Sequence, residues 1–126
     1  MSMINPLARA RGHGSAKEGV HHWYAQRASA ILLVFLVAWM VYSMFTLAGT
    51  GHAEAADFIS SPVNAAFLVL LLITLFYHAM LGLQVVIEDY VHQSAVEVVL
   101  LLLTRAGAYI GMAIGIIYVL KLAIGP

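Results

Sequence analysis

Three long apolar stretches dominate the sequence, and short polar segments separate them. The first covers about residues 28–48 and includes the uncharged run ILLVFLVAWMVYSMF. The second covers about residues 64–88 and is interrupted by one histidine and one glutamine, and the third covers about residues 97–124. A helix needs about 20 apolar residues to cross a bilayer, whereas barrel strands would alternate polar and apolar residues. The pattern therefore predicts an all-α membrane protein with three transmembrane helices in a single domain, residues 1–126.

Composition supports a lipid environment and excludes several classes of function. The chain has 126 residues, is 63% hydrophobic and 10% charged, and has a mean hydropathy of +0.93. A soluble domain of this length could not bury so much apolar surface. The formal net charge is zero, so nothing indicates a nucleic-acid partner. The chain has no cysteine, which excludes disulfides, iron–sulfur ligation and thiol chemistry within it.

The distribution of basic residues predicts the orientation. Residues 1–26 form a polar segment, and four basic residues precede or open the first helix: Arg9, Arg11, Lys17 and Arg27. The loop from Gly49 to Asn64 has no lysine or arginine. By the positive-inside rule the N-terminus is cytoplasmic and the C-terminus periplasmic. The basic N-terminal region is too long for a signal peptide, and the apolar run after it is long enough to span the membrane. Because the N-terminal extension is short, we expect a multi-pass protein of the bacterial inner membrane.

His78 lies in the middle of the second apolar stretch. It precedes Asp89 by 11 residues, about 16 Å along a helix, which places it near the middle of a hydrocarbon core about 30 Å thick. Gly82 follows on the same face. One interpretation is a histidine that hydrogen-bonds a neighbouring helix, with Gly82 permitting close packing. The other is an axial haem ligand, with Gly82 leaving room for a flat macrocycle. No other histidine of the chain lies deep in a span, so a second ligand would come from a partner chain.

The second apolar stretch ends in Glu88-Asp89-Tyr90. Tyrosine is enriched at membrane interfaces and acidic residues at helix ends are commonly solvated, so this end needs no special role. The alternative is a binding site for a quinone headgroup, whose carbonyl oxygens accept hydrogen bonds. The hydroxyl of Tyr90 is a suitable donor, and Asp89 could hold an arginine in place or relay protons.

The segment GVHHWYAQRASA, residues 19–30, opens the first helix. Trp23 and Tyr24 are typical interfacial anchors, and Arg27 fits positive-inside anchoring with a snorkelling side chain. The functional alternative is that Arg27, with His21 or His22, binds carboxylates such as haem propionates. The predicted topology places this cluster on the same membrane face as Tyr90.

Two further patterns indicate packing. Gly107, Gly111 and Gly115 recur every four residues in the third stretch, which is typical of close helix contact in membranes. Trp39, Met40 and Met44 in the first stretch are interpreted as core or lipid-facing fillers.

With these residues identified, the chain resembles the D-type hydrophobic anchor subunit (cytochrome b556 subunit) of succinate dehydrogenase, respiratory complex II. The resemblance covers nearly the whole chain. Its most specific part is HAMLGLQVVIEDYVH, with glycine four residues after the histidine and Asp-Tyr eleven and twelve after it. The segment GVHHWYAQRASA also matches the family pattern at the start of the first helix.

The resemblance implies specific residue roles. His78 corresponds to the axial ligand of haem b, with Gly82 beside it. Tyr90 corresponds to the tyrosine that hydrogen-bonds ubiquinone, and Asp89 to its neighbour. Arg27 and His21 match residues near the haem propionates. The long third segment with Arg105 has no assigned counterpart.

The resemblance also implies partners. The chain would join a second cytochrome b anchor subunit in a heteromeric helical bundle, share haem b with it, and carry a flavoprotein subunit and an iron–sulfur subunit. It would contribute to electron transfer from succinate to ubiquinone without succinate chemistry of its own. Two alternatives stay open at this point: the anchor of a fumarate reductase that uses menaquinone, and a small structural membrane protein without a cofactor.

Overall fold

The computed structural model describes residues 18–125, which form helices and contain no strand. The helices of this range are α1 (Glu18–Leu47), α2 (His52–Ser60), α3 (Pro62–Tyr90) and α4 (Ser94–Ile124). All but α2 are long and apolar enough to cross a membrane. The predicted all-α architecture with three membrane-spanning helices is confirmed.

The helix bounds differ from the predicted bounds in ways that have physical reasons. α1 begins about ten residues before the predicted start at 28, because backbone hydrogen bonding continues through residues whose side chains are polar. α3 begins at Pro62. Proline suits a first helical position because a backbone N–H there would have no acceptor within the helix. α2 was not predicted within the loop. At its start, the Glu54 carboxylate accepts a hydrogen bond from the backbone N–H of Gly51 at 3.0 Å.

The connections place the helix ends on two sides. α1 begins, α3 ends and α4 begins on one side, which we call the Tyr90 end; α2 lies at the other. Three of the basic residues that predict the orientation lie outside the described residues: Arg9, Arg11 and Lys17. The assignment of the Tyr90 end to the cytoplasm therefore stays a prediction.

α3 packs against both α1 and α4. Its contact with α4 depends on two glycines of the predicted ladder. A Cβ atom added at Gly111 would lie 2.7 Å from the ring of Phe76, and one at Gly115 would lie 3.0 Å from the side chain of Leu72. At Gly107, no side chain of residues 18–125 lies within 4 Å of the corresponding Cβ position. Gly111 and Gly115 thus permit the predicted close packing within the chain, whereas Gly107 faces outward.

Trp39 joins three helices near the α2 end of the bundle. Its indole stacks on Phe58 of α2, with ring centroids 6.1 Å apart, and meets Phe67 of α3 edge-on at 5.1 Å. The side-chain amide of Asn64 donates to the backbone oxygen of Phe58 at 2.9 Å, which ties α2 to the start of α3. Trp39 is therefore a packing residue, as the sequence indicated.

Few side chains are buried within the described chain, and many large apolar side chains are exposed on the three long helices. Such a surface requires lipid or other apolar helices around it. The buried hydroxyl residues are Ser29, Ser43 and Thr74. The hydroxyls of Ser43 and Thr74 donate to carbonyls four residues earlier in their own helices, at 2.9 and 2.8 Å. Ser29 differs because it also contacts α3.

Candidate functional site

A cleft of about 1140 Å³ lies between α1 and α3 in the half of the bundle toward the Tyr90 end. Its volume is slightly above the range of about 300–1,000 Å³ that is usual for small-molecule and cofactor sites. The α1 residues of its lining come from the segment GVHHWYAQRASA, and those of α3 run from Tyr77 to Glu88. Its polar lining residues are His21, His22, Gln26, Arg27, His78, Gln84 and Glu88.

His78 is half-buried in the wall of this cleft, and both of its ring nitrogens face α1. The hydroxyl oxygen of Ser29 lies 2.9 Å from Nδ1. The same hydroxyl donates to the backbone oxygen of Gln26 at 3.0 Å. On the other side of the ring, Nε2 of His78 lies 3.4 Å from the amide nitrogen of Gln26, a long hydrogen-bond distance. The imidazole is thus held at Nδ1 and only weakly engaged at Nε2.

Gly82 lies one turn from His78 toward the Tyr90 end, as the spacing predicted. A Cβ atom there would lie 3.6 Å from the amide nitrogen of Gln26, an ordinary van der Waals distance. The missing side chain at Gly82 is therefore not required by packing within the described chain.

Two polar atoms in the cleft wall lack partners. Nε2 of His22 and Oε1 of Gln26 are buried, and neither has a hydrogen-bond partner among residues 18–125. A buried polar atom without a partner costs roughly 1–3 kcal/mol, and such atoms are uncommon in native proteins. Their position beside the cleft is suited to a polar ligand that would satisfy them.

Arg27 supplies the positive charge of the cleft. Its guanidinium carbon lies 5.6 Å from the centre of the Trp23 ring, within the range of a cation–π interaction. Trp23 in turn meets Tyr24 edge-on at 5.1 Å. Arg27 and His21 both line the cleft and are both exposed, so their polar groups are accessible to a negatively charged ligand.

The remaining predicted residues lie at the Tyr90 end, outside the cleft lining. Tyr90 is 78% exposed, and Asp89 is also exposed. One turn away, the amide of Gln84 donates to the Glu88 carboxylate at 2.7 Å, and these two residues do line the cleft. The structure therefore brings His78, Arg27 and His21 together around one cleft and leaves Asp89 and Tyr90 at its outer margin.

Sequence reasoning missed the contribution of Ser29 and Gln26. A signal was present: His22, Gln26 and Ser29 follow one another at spacings of four and three, which places them on one face of α1. In an apolar helix, such a polar stripe indicates a face that meets protein or ligand rather than lipid.

The described residues contain no group of three or more metal-ligating side chains. His22 precedes Ser29 by seven residues, about 10 Å along α1, so it is distant from the ring of His78. Within residues 18–125, His78 and His22 therefore lie too far apart to bind the same metal ion, and Arg27 and other hydrogen-bonding groups line the cleft around them.

Comparisons with known proteins agree with one another. The family described as Succinate dehydrogenase/Fumarate reductase transmembrane subunit matches residues 1–120. The chain is 45% identical, over 87 residues and 68% of each chain, to a Rickettsia bellii protein named succinate dehydrogenase hydrophobic membrane anchor subunit. Proteins of the same name from Rickettsia conorii and Paracoccus denitrificans are 33% and 29% identical. These matches cover 79% of each chain for the former, and 71% of this chain and 70% of the relative for the latter.

Proposed function

Because the chain belongs to the Succinate dehydrogenase/Fumarate reductase transmembrane subunit family, we propose that it is the membrane anchor of a succinate:quinone oxidoreductase that shares haem b with a second anchor subunit and helps to form the ubiquinone site. Three membrane-spanning helices and relatives named as anchor subunits support the anchoring role. A bacterial inner membrane with the Tyr90 end in the cytoplasm is part of the same proposal.

His78 is the proposed axial ligand of the haem. The observation that carries this role is the state of its imidazole, which Ser29 holds at Nδ1 while Nε2 has only a long contact with Gln26. Metal-bound histidines characteristically use one ring nitrogen for the metal and donate the other ring N–H to a neighbouring oxygen. When bound, the haem would supply reversible one-electron chemistry. The amide of Gln26 would move aside from Nε2 to admit it.

The other cleft residues suit the periphery of the same group. Arg27 and His21 would bind its carboxylates, because an arginine guanidinium pairs bidentately with carboxylate oxygens. The unpaired atoms of His22 and Gln26 would gain partners within the occupied cleft. Gly82 would leave the face of α3 flat beside the ring. The second axial ligand would come from the partner anchor subunit, since the cleft presents one deep imidazole.

The quinone site is proposed at the Tyr90 end. The exposed hydroxyl of Tyr90 would donate a hydrogen bond to one carbonyl oxygen of the quinone headgroup, and residues of the partner subunits would complete the pocket. Reduction of a quinone to a quinol takes up two protons. Asp89 is exposed beside Tyr90 and would either hold a partner's arginine or pass protons inward from water. The chain would take no part in succinate chemistry; the flavoprotein subunit would oxidise succinate and the iron–sulfur subunit would carry the electrons.

A single substitution tests the haem assignment. His78→Ala should abolish the b-type visible spectrum of the purified complex, while the anchor still co-purifies with the flavoprotein and iron–sulfur subunits. His92→Ala is the matched control, because His92 is exposed beyond the end of α3 and contacts the backbone oxygen of Tyr90. A complex with His78→Ala that keeps an unchanged spectrum would show that the ligand assignment is wrong.

The family description covers a second candidate, the anchor of a fumarate reductase. Both enzymes need the same anchor geometry, and reduction of the haem by menaquinol rather than by succinate would favour this candidate. A structural protein without a cofactor would give a colourless preparation that does not co-purify with redox subunits.

A further inference from the structure

We infer that Ser29 is a positioning residue that holds His78 in the tautomer with hydrogen on Nδ1 and the lone pair of Nε2 facing the cleft; this inference rests on the proposed haem-ligand role. Ser29 is only 7% exposed, and its hydroxyl oxygen lies 2.9 Å from Nδ1 across 49 residues of sequence. The other buried hydroxyls, those of Ser43 and Thr74, donate within their own helices.

The number of available hydrogens determines the direction of the contact. A serine hydroxyl has one hydrogen and two acceptor lone pairs. Its hydrogen is donated to the backbone oxygen of Gln26, 3.0 Å away. With that hydrogen on the carbonyl oxygen, only lone pairs remain for His78, and Nδ1 is then the donor. A neutral imidazole carries one ring hydrogen, and Nε2 is consequently bare.

Gln26 agrees with this assignment from the opposite side of the ring. Its amide nitrogen, which carries only donors, is the atom that lies 3.4 Å from Nε2 of His78. A donor beside Nε2 is compatible with a lone pair there and incompatible with a second N–H group. With the amide in this orientation, the two contacts fit the same tautomer.

The alternative is the other tautomer of His78, in which the ring hydrogen lies on Nε2 and Nδ1 accepts a hydrogen bond. Ser29 would donate to Nδ1, and Nε2 would carry the ring hydrogen. His78 would then have no lone pair facing the cleft and could not coordinate iron through Nε2. The contact from Ser29 thus decides whether the imidazole is ready to act as a ligand.

Loss of this contact should affect the iron more than the fold. When a ring N–H donates to an oxygen, the imidazole becomes a stronger electron donor to the metal and its ring plane is fixed. Removal of such a hydrogen-bond partner typically weakens metal binding by roughly 10- to 100-fold. The stronger donor favours ferric over ferrous iron. Its loss should therefore raise the midpoint potential, and a tenfold change in that preference corresponds to about 59 mV for a one-electron couple.

The test uses the complete complex with Ser29→Ala, Ser29→Thr and Ser43→Ala. We expect Ser29→Ala to raise the haem midpoint potential and to shift the electron paramagnetic resonance g-values, which report ligand orientation. Ser29→Thr keeps the hydroxyl and should match the unsubstituted complex. Ser43→Ala removes another buried hydroxyl from the same helix, one that donates to the backbone oxygen of Trp39, and should also match the unsubstituted complex.

The outcomes separate this inference from the proposed function. If His78→Ala keeps the haem spectrum, the ligand role fails and the inference fails with it. If His78→Ala loses the spectrum but Ser29→Ala has the potential and g-values of Ser29→Thr, the positioning role of Ser29 is overturned and the ligand role stands. Should Ser29→Ala assemble poorly, the isosteric pair Ser29→Thr and Ser29→Val replaces it, and equal potentials for that pair would overturn the inference.

Discussion

Gly111 of α4 lies directly against the ring of Phe76 of α3, so that a Cβ atom at Gly111 would be 2.7 Å from Cε1 and 2.8 Å from Cζ. These distances are well below a normal carbon–carbon contact, so a larger residue at Gly111 would displace either the ring of Phe76 or the two helices. α3 carries His78 two residues beyond Phe76. The close contact between α3 and α4 therefore supports the helix on which the proposed ligand is placed.

Gly111→Ala should destabilise the complex. Overpacking a tight contact costs about 1–3 kcal/mol, and the better helix propensity of alanine offsets part of that cost. We expect a lower unfolding temperature in detergent. Gly107→Ala is the matched control, because nothing described lies within 4 Å of its added methyl group. Equal unfolding temperatures for the two variants would contradict the assigned packing, and Phe76→Leu should partly rescue Gly111→Ala.

Gly82→Ala should separate cofactor binding from folding. The added methyl group would lie 3.6 Å from Gln26, which the chain accommodates without rearrangement. A flat macrocycle against this face would instead meet that methyl group, at a cost of about 1–3 kcal/mol, or about 5- to 150-fold in haem affinity. Haem content per complex, read from the visible spectrum, should fall while the unfolding temperature of the haem-free protein is unchanged. A full complement of haem in this variant would show that the ring does not lie over Gly82.

Arg27→Gln should weaken haem retention. A hydrogen bond to a charged group contributes about 1.5–3 kcal/mol, so loss of a guanidinium–carboxylate pair should lower affinity by about 10- to 150-fold. Arg27→Lys should recover only part of this, because an ammonium group cannot form the bidentate pair. The rate of haem loss to a haem-scavenging protein measures the effect.

Arg105→Gln is the control for the arginine prediction. Arg105 is an exposed arginine of α4 that does not line the cleft. Its removal changes the charge of the chain by the same amount and should leave haem loss at the unsubstituted rate. If both substitutions accelerate haem loss equally, a general charge effect explains the result and Arg27 has no direct contact.

The sequence was sufficient for the three spanning helices because each carries a long apolar run, and this is the strongest signal a membrane protein offers. The sequence was less informative for segments that are helical although their residues are polar. The first turns of α1 are polar yet helical, and α2 is a short helix whose start depends on the contact between Gly51 and Glu54.

The site was predictable in part, for a similar reason. His78, Arg27 and His21 could be identified because polar residues are conspicuous near apolar spans, and the structure places all three around one cleft. The contact between Ser29 and His78 could not be predicted, since it joins residues 49 positions apart and depends on the relative rotation of α1 and α3. Helical periodicity places a residue on a face, but it does not identify the residue that the face meets.

Tyr90→Phe tests the quinone end separately from the haem. Tyr90 is 12 residues beyond His78, about 18 Å along α3, so its substitution should leave the haem spectrum unchanged. Removal of one neutral hydrogen bond costs about 0.5–1.5 kcal/mol, which predicts about 2- to 12-fold slower succinate-dependent reduction of ubiquinone if the bond forms in the rate-limiting transition state. Reduction of a soluble dye by the flavoprotein should be unaffected, because the proposed function assigns succinate oxidation to that subunit. The control is Tyr118, an exposed tyrosine of α4, and Tyr118→Phe should change neither rate.

An unchanged rate of ubiquinone reduction with Tyr90→Phe would remove the hydroxyl from the mechanism and would leave Asp89 and the partner subunits to bind the headgroup.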